Sequence, residues 1–135
     1  MAVVEIEIPP RSPYVGVVRL AIGTLARSTQ LEPEGIDDLK MAVSEACANA
    51  VLAHEESGSE DPVLIRWSDS EDRIEIHVDQ AAATAPNAST ADSQGFSTRL
   101  VLSTALLESL VDELAYSDRP EGGTRTRLVL AISST

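Results

Sequence analysis

The sequence predicts an α+β two-layer sandwich, a mixed or antiparallel sheet of about five strands with about three helices on one face. Three observations predict it. Short segments alternate apolar and polar residues, longer segments repeat apolar residues every three or four positions, and each helical segment carries a single apolar stripe. Strands that hide one face and helices that hide one stripe satisfy each other when all the helices lie on the same side of the sheet.

Val4, Ile6 and Ile8 alternate with Glu5 and Glu7 as a first strand, which Pro9 and Pro10 stop. From Tyr14 to about Thr29, the residues Val17, Val18, Ala21, Ile22, Leu25 and Ala26 recur at helical spacing, and Pro13 suits a first turn. A second helix runs from about Glu34 to Ala53, with Pro33 before it and acidic Glu34, Asp37 and Asp38 near its positive end. Its core stripe is Ile36, Leu39, Val43, Ala46, Cys47 and Ala50. Val63, Ile65 and Trp67, then Ile74, Ile76 and Val78, form a hairpin across Asp69 to Asp72.

Gln80 to Gln94 is rich in Ala, Ser, Thr and Asn and has no periodicity, so it reads as a flexible lid loop. Gly95 introduces a third helix to about Val111, with Leu100, Val101, Ala105, Leu106 and Leu110 as its apolar residues. A strand around Glu113 to Ser117, a turn from Arg119 to Gly123, and a last strand with Leu128, Leu130 and Ile132 on one face complete the chain.

With 135 residues, 14.4 kDa and 43% hydrophobic residues, the chain has material for one domain and one core, spanning residues 1–135. Asp and Glu outnumber Lys and Arg 22 to 10, for a formal charge of -12, so a polyanion would be repelled and no direct nucleic-acid partner is expected. Met1 to Pro10 lacks the basic region and apolar core of a signal peptide, and the apolar runs are short, so no membrane partner is expected and the localisation reads as cytoplasmic. Cys47 is the one cysteine, which excludes an internal disulfide and a thiolate zinc cluster.

The segment from Val43 to Ala50 carries the chemistry. Glu45 and Asn49 are four residues apart and so share one helical face, turned away from the core stripe. A carboxylate that takes a proton from a hydroxyl, beside an amide oxygen that ligates Mg²⁺, is a workable pair for phosphoryl transfer. By spacing alone, a solvated face of an acidic protein is the simpler explanation.

The segment Ile36 to Ala50, followed by Asp79 at a strand end, a long loop, a Gly-led helix and Gly122-Gly123-Thr124 before a last strand, resembles the anti-sigma factor serine/threonine kinases. These belong to the histidine-kinase-like ATPase superfamily. The resemblance implies that Glu45 is the catalytic base and that Asn49 holds the Mg²⁺ bridging the phosphates of ATP. It also implies that Asp79 receives the adenine amino group with support from Thr124 of the Gly122-Gly123-Thr124 turn, and that Gly95 opens the phosphate cradle with Arg99 one turn on. Without it, Asp79 is a strand-end residue, Gly122 and Gly123 a hairpin turn, and Gly95 a helix cap.

The chain departs from the family in its glycines. Where the adenine box reads Asp-x-Gly-x-Gly, this chain reads Asp79-Gln80-Ala81-Ala82-Ala83, and the second box keeps one glycine, Gly95. ATP and Mg²⁺ are the implied cofactors, with Ala81 and Ala83 standing where close backbone approach needs glycine. Two functions of different class follow. One is a partner-switching regulator that binds a sigma factor and an anti-anti-sigma protein and phosphorylates a serine of the latter. The other is a binding module of the same fold with lost or altered nucleotide binding. The resemblance implies that Arg19, in the first helix, is at a place like that where the family contacts its sigma factor, although alone it reads as a solvated arginine. The first strand, alternating and at a sheet edge, is expected to support a homodimer. His54 and His77 are assigned structural roles.

Overall fold

The computed structural model describes residues 3–82 and 93–132, residues 93–97 by their backbone alone. Its elements are β1 (Val3–Ile8), α1 (Pro13–Arg27), α2 (Pro33–Ser57), β2 (Val63–Asp69), β3 (Arg73–Gln80), α3 (Ser93–Leu110), β4 (Glu113–Asp118) and β5 (Thr124–Ala131). The strands lie in the order β1-β2-β3-β5-β4, and every pair is antiparallel. The predicted α+β sandwich is therefore present, with an entirely antiparallel sheet. No described helix is long and apolar enough to cross a membrane.

Each strand sends alternate residues to the helices. Ile6, Ile65, Val78 and Thr126 form one cross-strand row beneath them, and Val4, Trp67, Ile76, Leu128 and Leu114 form the next. The other sheet face is open and charged: Glu75 accepts from Arg127 at 3.1 Å and meets His77 Nε2 at 2.7 Å. The core joins Trp67, Ile65, Ile76 and Leu128 to Val18, Ile22, Leu39, Val43 and Leu107, all essentially closed to solvent. A fully buried leucine or isoleucine in such a layer contributes about 2 kcal/mol.

α2 is the central helix. Pro33 occupies its first turn, Glu34 sits near its positive end, and Gly58 ends it at φ 71°. The stripe Leu39, Val43, Ala46, Cys47 and Ala50 is buried as the spacing predicts. In α1 the inner set is Val15, Val18, Ile22 and Ala26, spaced by three or four residues, and Val17 falls outside that series and faces solvent.

The third helix departs further from expectation. It begins at Ser93, two residues before Gly95. Val101 and Leu106 are exposed along with Ala105, whereas Leu107 and Ser103 are buried. Apolarity fails as a guide here because α3 turns Ser103 and Thr104 towards polar partners on α2 and β4. Of the expected lid, Gln80 is the last residue of β3, Ser93 and Gln94 belong to α3, and residues 83–92 lie outside the described residues.

Candidate functional site

Glu45 and Asn49 stand on the α2 face turned towards α3, and a single hydroxyl joins them. Ser103 Oγ donates to Glu45 Oε2 at 2.6 Å, and Asn49 Nδ2 donates to Ser103 Oγ at 2.6 Å. The four-residue spacing on α2 and the inward turn of α3 thus build a carboxylate–hydroxyl–amide chain under partial cover. Because Asn49 uses its Nδ2 on Ser103, its Oδ1 stays without a hydrogen bond among the described residues, in the state a hard cation requires. Glu45 also lines an open hollow with Thr98, Arg99, Leu102, Ser103 and Leu106. Tyr116 closes the β4 side by hydrogen-bonding Thr104 at 2.7 Å. Its phenol is pushed up chiefly by burial, with a smaller contribution from Glu108 and Glu45.

A second polar group lies on the same side of the sheet, at the end of β3. Gln80 and Thr124 are register partners, and with Thr126 they are buried polar side chains on the helix side of the sheet. The backbone around them is tightly held. His54, completely buried near the end of α2, accepts through Nε2 from the Ala81 amide at 2.9 Å and lies 3.4 Å from the Ala82 amide. Its Nδ1 therefore carries the proton and donates to the Asp61 carbonyl at 3.0 Å. On the other side Gly123, at φ 91°, presses so closely that a Cβ there would sit 2.0 Å from the Gln80 carbonyl oxygen. Glycine is required at Gly123 both by its left-handed backbone and by this approach.

Asp79 is placed elsewhere. The pleat sends Ile74, Ile76, Val78 and Gln80 to the helices and Glu75, His77 and Asp79 to the open face. There Asp79 shares a row with Leu64 and Arg125. Arg125 holds both carboxylate oxygens, at 2.8 and 2.9 Å, and Arg119 lies 3.8 Å away. The pairing raises Arg125 above the usual guanidinium value. The sequence expectation that Asp79 joins Glu45 and Asn49 around a nucleotide is therefore not met in placement: the sheet stands between them. One residue of strand phase is the reason.

The remaining expected residues are dispersed. Thr124 is on the helix side beside Gln80, Gly123 beneath it, and Gly95 within the first turn of α3. Arg99 pairs with Glu56 of α2 at 2.6 Å. Arg19 lies on the outer side of α1, donates to Ser44 Oγ at 2.7 Å, and is flanked by exposed Val17 and Leu20. Cys47 is buried, and burial pushes its thiol up to about 12. Ser103, His54 and Gln80 were not singled out for the site from sequence. The period-two pattern of β3 held the signal for Gln80, since it continues the inward series Ile74, Ile76, Val78.

A fold of this order, with a carboxylate and an amide on the central helix and polar groups at one end of the covered sheet face, defines a class. Residues 8–130 match the histidine kinase-like ATPase domain, and the chain belongs to that family. Within it, the chain resembles the serine-protein kinases RsbW. It is 44% identical over 77 residues to the one from Bacillus pumilus, covering 56% of this chain and 48% of that protein. To the one from Bacillus subtilis it is 39% identical over 75 residues, covering 56% and 47%. The chain spans about half the length of the curated relatives it matches. In a crystal structure of the RsbU and RsbW domains of a Mycobacterium tuberculosis protein, a matching region covers 96% of this chain and 32% of that one, with a TM-score of 0.70 and 16% identity. That likeness concerns the fold.

Proposed function

We propose that this protein is an anti-sigma-factor-like serine kinase of a partner-switching system, binding a sigma factor and an anti-anti-sigma protein and phosphorylating a serine of the latter. The observation that carries the reading is the Glu45–Ser103–Asn49 chain, which couples a proton acceptor to an amide with an uncommitted oxygen. Serine-protein kinases are what the matched relatives are named.

Mg-ATP, when bound, supplies the transferable phosphoryl group and the charge that neutralises it. Asn49 fits the metal end because its Oδ1 is available and Mg²⁺ usually takes few protein ligands besides phosphate and water oxygens. Glu45 fits the base role: its Oε2 already accepts from a serine hydroxyl at 2.6 Å, the contact a general base makes with the proton it removes. Asp79 does not fit the adenine end, since both its oxygens are held by Arg125 on the far face.

The partner surface in this reading is the outer side of α1 around Arg19, Val17 and Leu20, together with a charge of -12 that speeds encounter with a basic segment. The edge position of β1 supports a homodimer formed by strand pairing.

The test is transfer of labelled phosphate from ATP to a purified anti-anti-sigma protein. The expected result is transfer by the wild type, and by Glu45→Gln less than a thousandth of that rate with nucleotide binding retained, on the order of what losing a general base and its charge removes. Absence of transfer by the wild type, together with tight sigma-factor binding, would replace the kinase reading with the binding module. The committed Asp79 carboxylate is the observation that favours that alternative.

A further inference from the structure

We infer that Ser103 is itself a phosphoacceptor: the chain transfers the terminal phosphoryl group of ATP to a hydroxyl of its own helix α3, in cis. Self-transfer presupposes the kinase reading above and adds a modification site to it.

The receiving hydroxyl is already in place. A serine that is to be phosphorylated gives its proton to the base and stands next to the group that holds the metal. Ser103 Oγ does both within one molecule, donating to Glu45 Oε2 at 2.6 Å and accepting from Asn49 Nδ2 at 2.6 Å. It is also within reach of a ligand, since Ser103 and Glu45 line the same open hollow, together with Thr98 and Arg99.

Ser103 takes an inner position of α3 without the chemistry of a core residue. The inner series runs Leu100, Ser103, Leu107 and Leu110 at helical spacing, and Ser103 is its polar member. Ser103 is 5% exposed, whereas Val101 and Leu102 beside it are 67% and 68% exposed. A leucine at that position would bury more apolar surface but would offer no hydroxyl to the base.

In the transfer, the Ser103 Oγ–H bond breaks and its proton passes to Glu45 Oε2, while Oγ bonds to the γ-phosphorus of Mg-ATP. The bond from that phosphorus to the β–γ bridging oxygen breaks, and ADP leaves with its electron pair. Glu45 then returns the proton to solvent. Phosphoserine and ADP are the products.

The experiment incubates the whole chain with Mg²⁺ and γ-labelled ATP, no other protein being present, and reads the intact mass and the labelled peptide. The expected result is one phosphoryl group per chain, on Ser103, gained at a rate per chain that is unchanged by about a hundredfold dilution of the protein. Ser103→Ala is expected to remove the label and Glu45→Gln to slow it by about a hundredfold or more. Ser103→Thr, which keeps a hydroxyl, is expected to be labelled at that position. Circular dichroism and melting curves establish that each variant is folded. Without nucleotide, the urea midpoint of the double variant Ser103→Ala, Glu45→Ala is expected to shift by less than the sum of the two single shifts, as groups in contact require. Label on Thr98 or another residue, a rate per chain that falls with dilution, or additive urea shifts would overturn the assignment. A wild type that phosphorylates an anti-anti-sigma protein but not itself would overturn it and leave the kinase reading intact. A wild type that does neither would overturn both.

Discussion

The Ser103 hydroxyl donates to the Glu45 carboxylate at 2.6 Å while accepting from Asn49 at 2.6 Å, so a serine of the chain itself stands where an incoming hydroxyl must be received. Ser103 occupies one of the lone pairs of that oxygen and so competes with an incoming hydroxyl for it. Ser103→Ala removes the competitor. It is expected to raise the rate of phosphate transfer several-fold, roughly the effect of about 1 kcal/mol in access to the base, and to lower stability by a similar amount. Initial rates with saturating acceptor, alongside a urea titration, measure both. A tenfold fall in rate would show that Ser103 positions Glu45 and does not obstruct it.

Gly122 and Gly123 separate backbone strain from close approach. Both have positive φ, 98° and 91°, but a Cβ on Gly122 meets nothing within 4 Å, whereas one on Gly123 meets the Gln80 and Ala81 carbonyl oxygens at 2.0 and 2.7 Å. Gly122→Ala should therefore destabilise by about 1 kcal/mol, the strain alone. Gly123→Ala should lose about 3 kcal/mol or more, because two backbone segments must part. Chemical denaturation of the pair reads the difference directly, and equal losses would mean that the turn and not the contact sets the requirement.

The middle of β3 and the α2 stripe are legible because the residues that their spacing turns inward are apolar: Ile74, Ile76 and Val78, and Leu39, Val43 and Cys47, are buried where that spacing puts them. α3 was not legible for the opposite reason. Its inward residues include Ser103 and Thr104, whose partners come from elements 54 or more and 12 residues away. No window of sequence contains such pairs. The same holds for His54, whose partner amides at Ala81 and Ala82 are 27 and 28 residues distant. Asp79 was misplaced by a local signal that outweighed a periodic one: a carboxylate at a strand end matched a motif, while the alternation through Ile74, Ile76 and Val78 already assigned the inner position to Gln80.

His54→Ala leaves a hole beside α2 and strips the Ala81 amide of its acceptor. The combined loss of packing and of a buried hydrogen bond should be about 3 kcal/mol. Hydrogen exchange distinguishes this from a general weakening. The Ala81 amide should lose protection by a larger factor than amides in the middle of β3, whose partners lie within the sheet. Uniform loss of protection across β3 would remove His54 from its role as the clamp on the strand end.

Cys47 offers a probe of α2 packing. Its thiol is fully buried among apolar neighbours and pushed up to about 12, so the reactive thiolate is scarce near neutral pH. Labelling by a thiol reagent is expected to proceed only through opening of the core and to slow in step with added stability. Labelling that is immediate in native buffer and unaffected by urea below the transition would contradict the inward orientation of the residue.

Glu75 on the open face sets an acid limit to stability. A hydrogen bond from Arg127 is the largest influence on its carboxyl; burial opposes it, the hydrogen bond with His77 adds to it, and the net direction is downward. Arg73 at 3.7 Å is a further cation facing it, and Glu113 competes for Arg127 at 3.5 Å. A carboxyl depressed in the folded state contributes its stabilisation in full above the unfolded value, about 4.3, and loses it as pH falls through the folded value. Glu75→Gln should therefore be less stable than the wild type at pH 7, and the gap should narrow as pH falls below about 4. Urea titrations of both proteins at pH 7 and near pH 3 test this, and a gap of equal size at the two pH values would show that the side chain acts through packing and not through its charge.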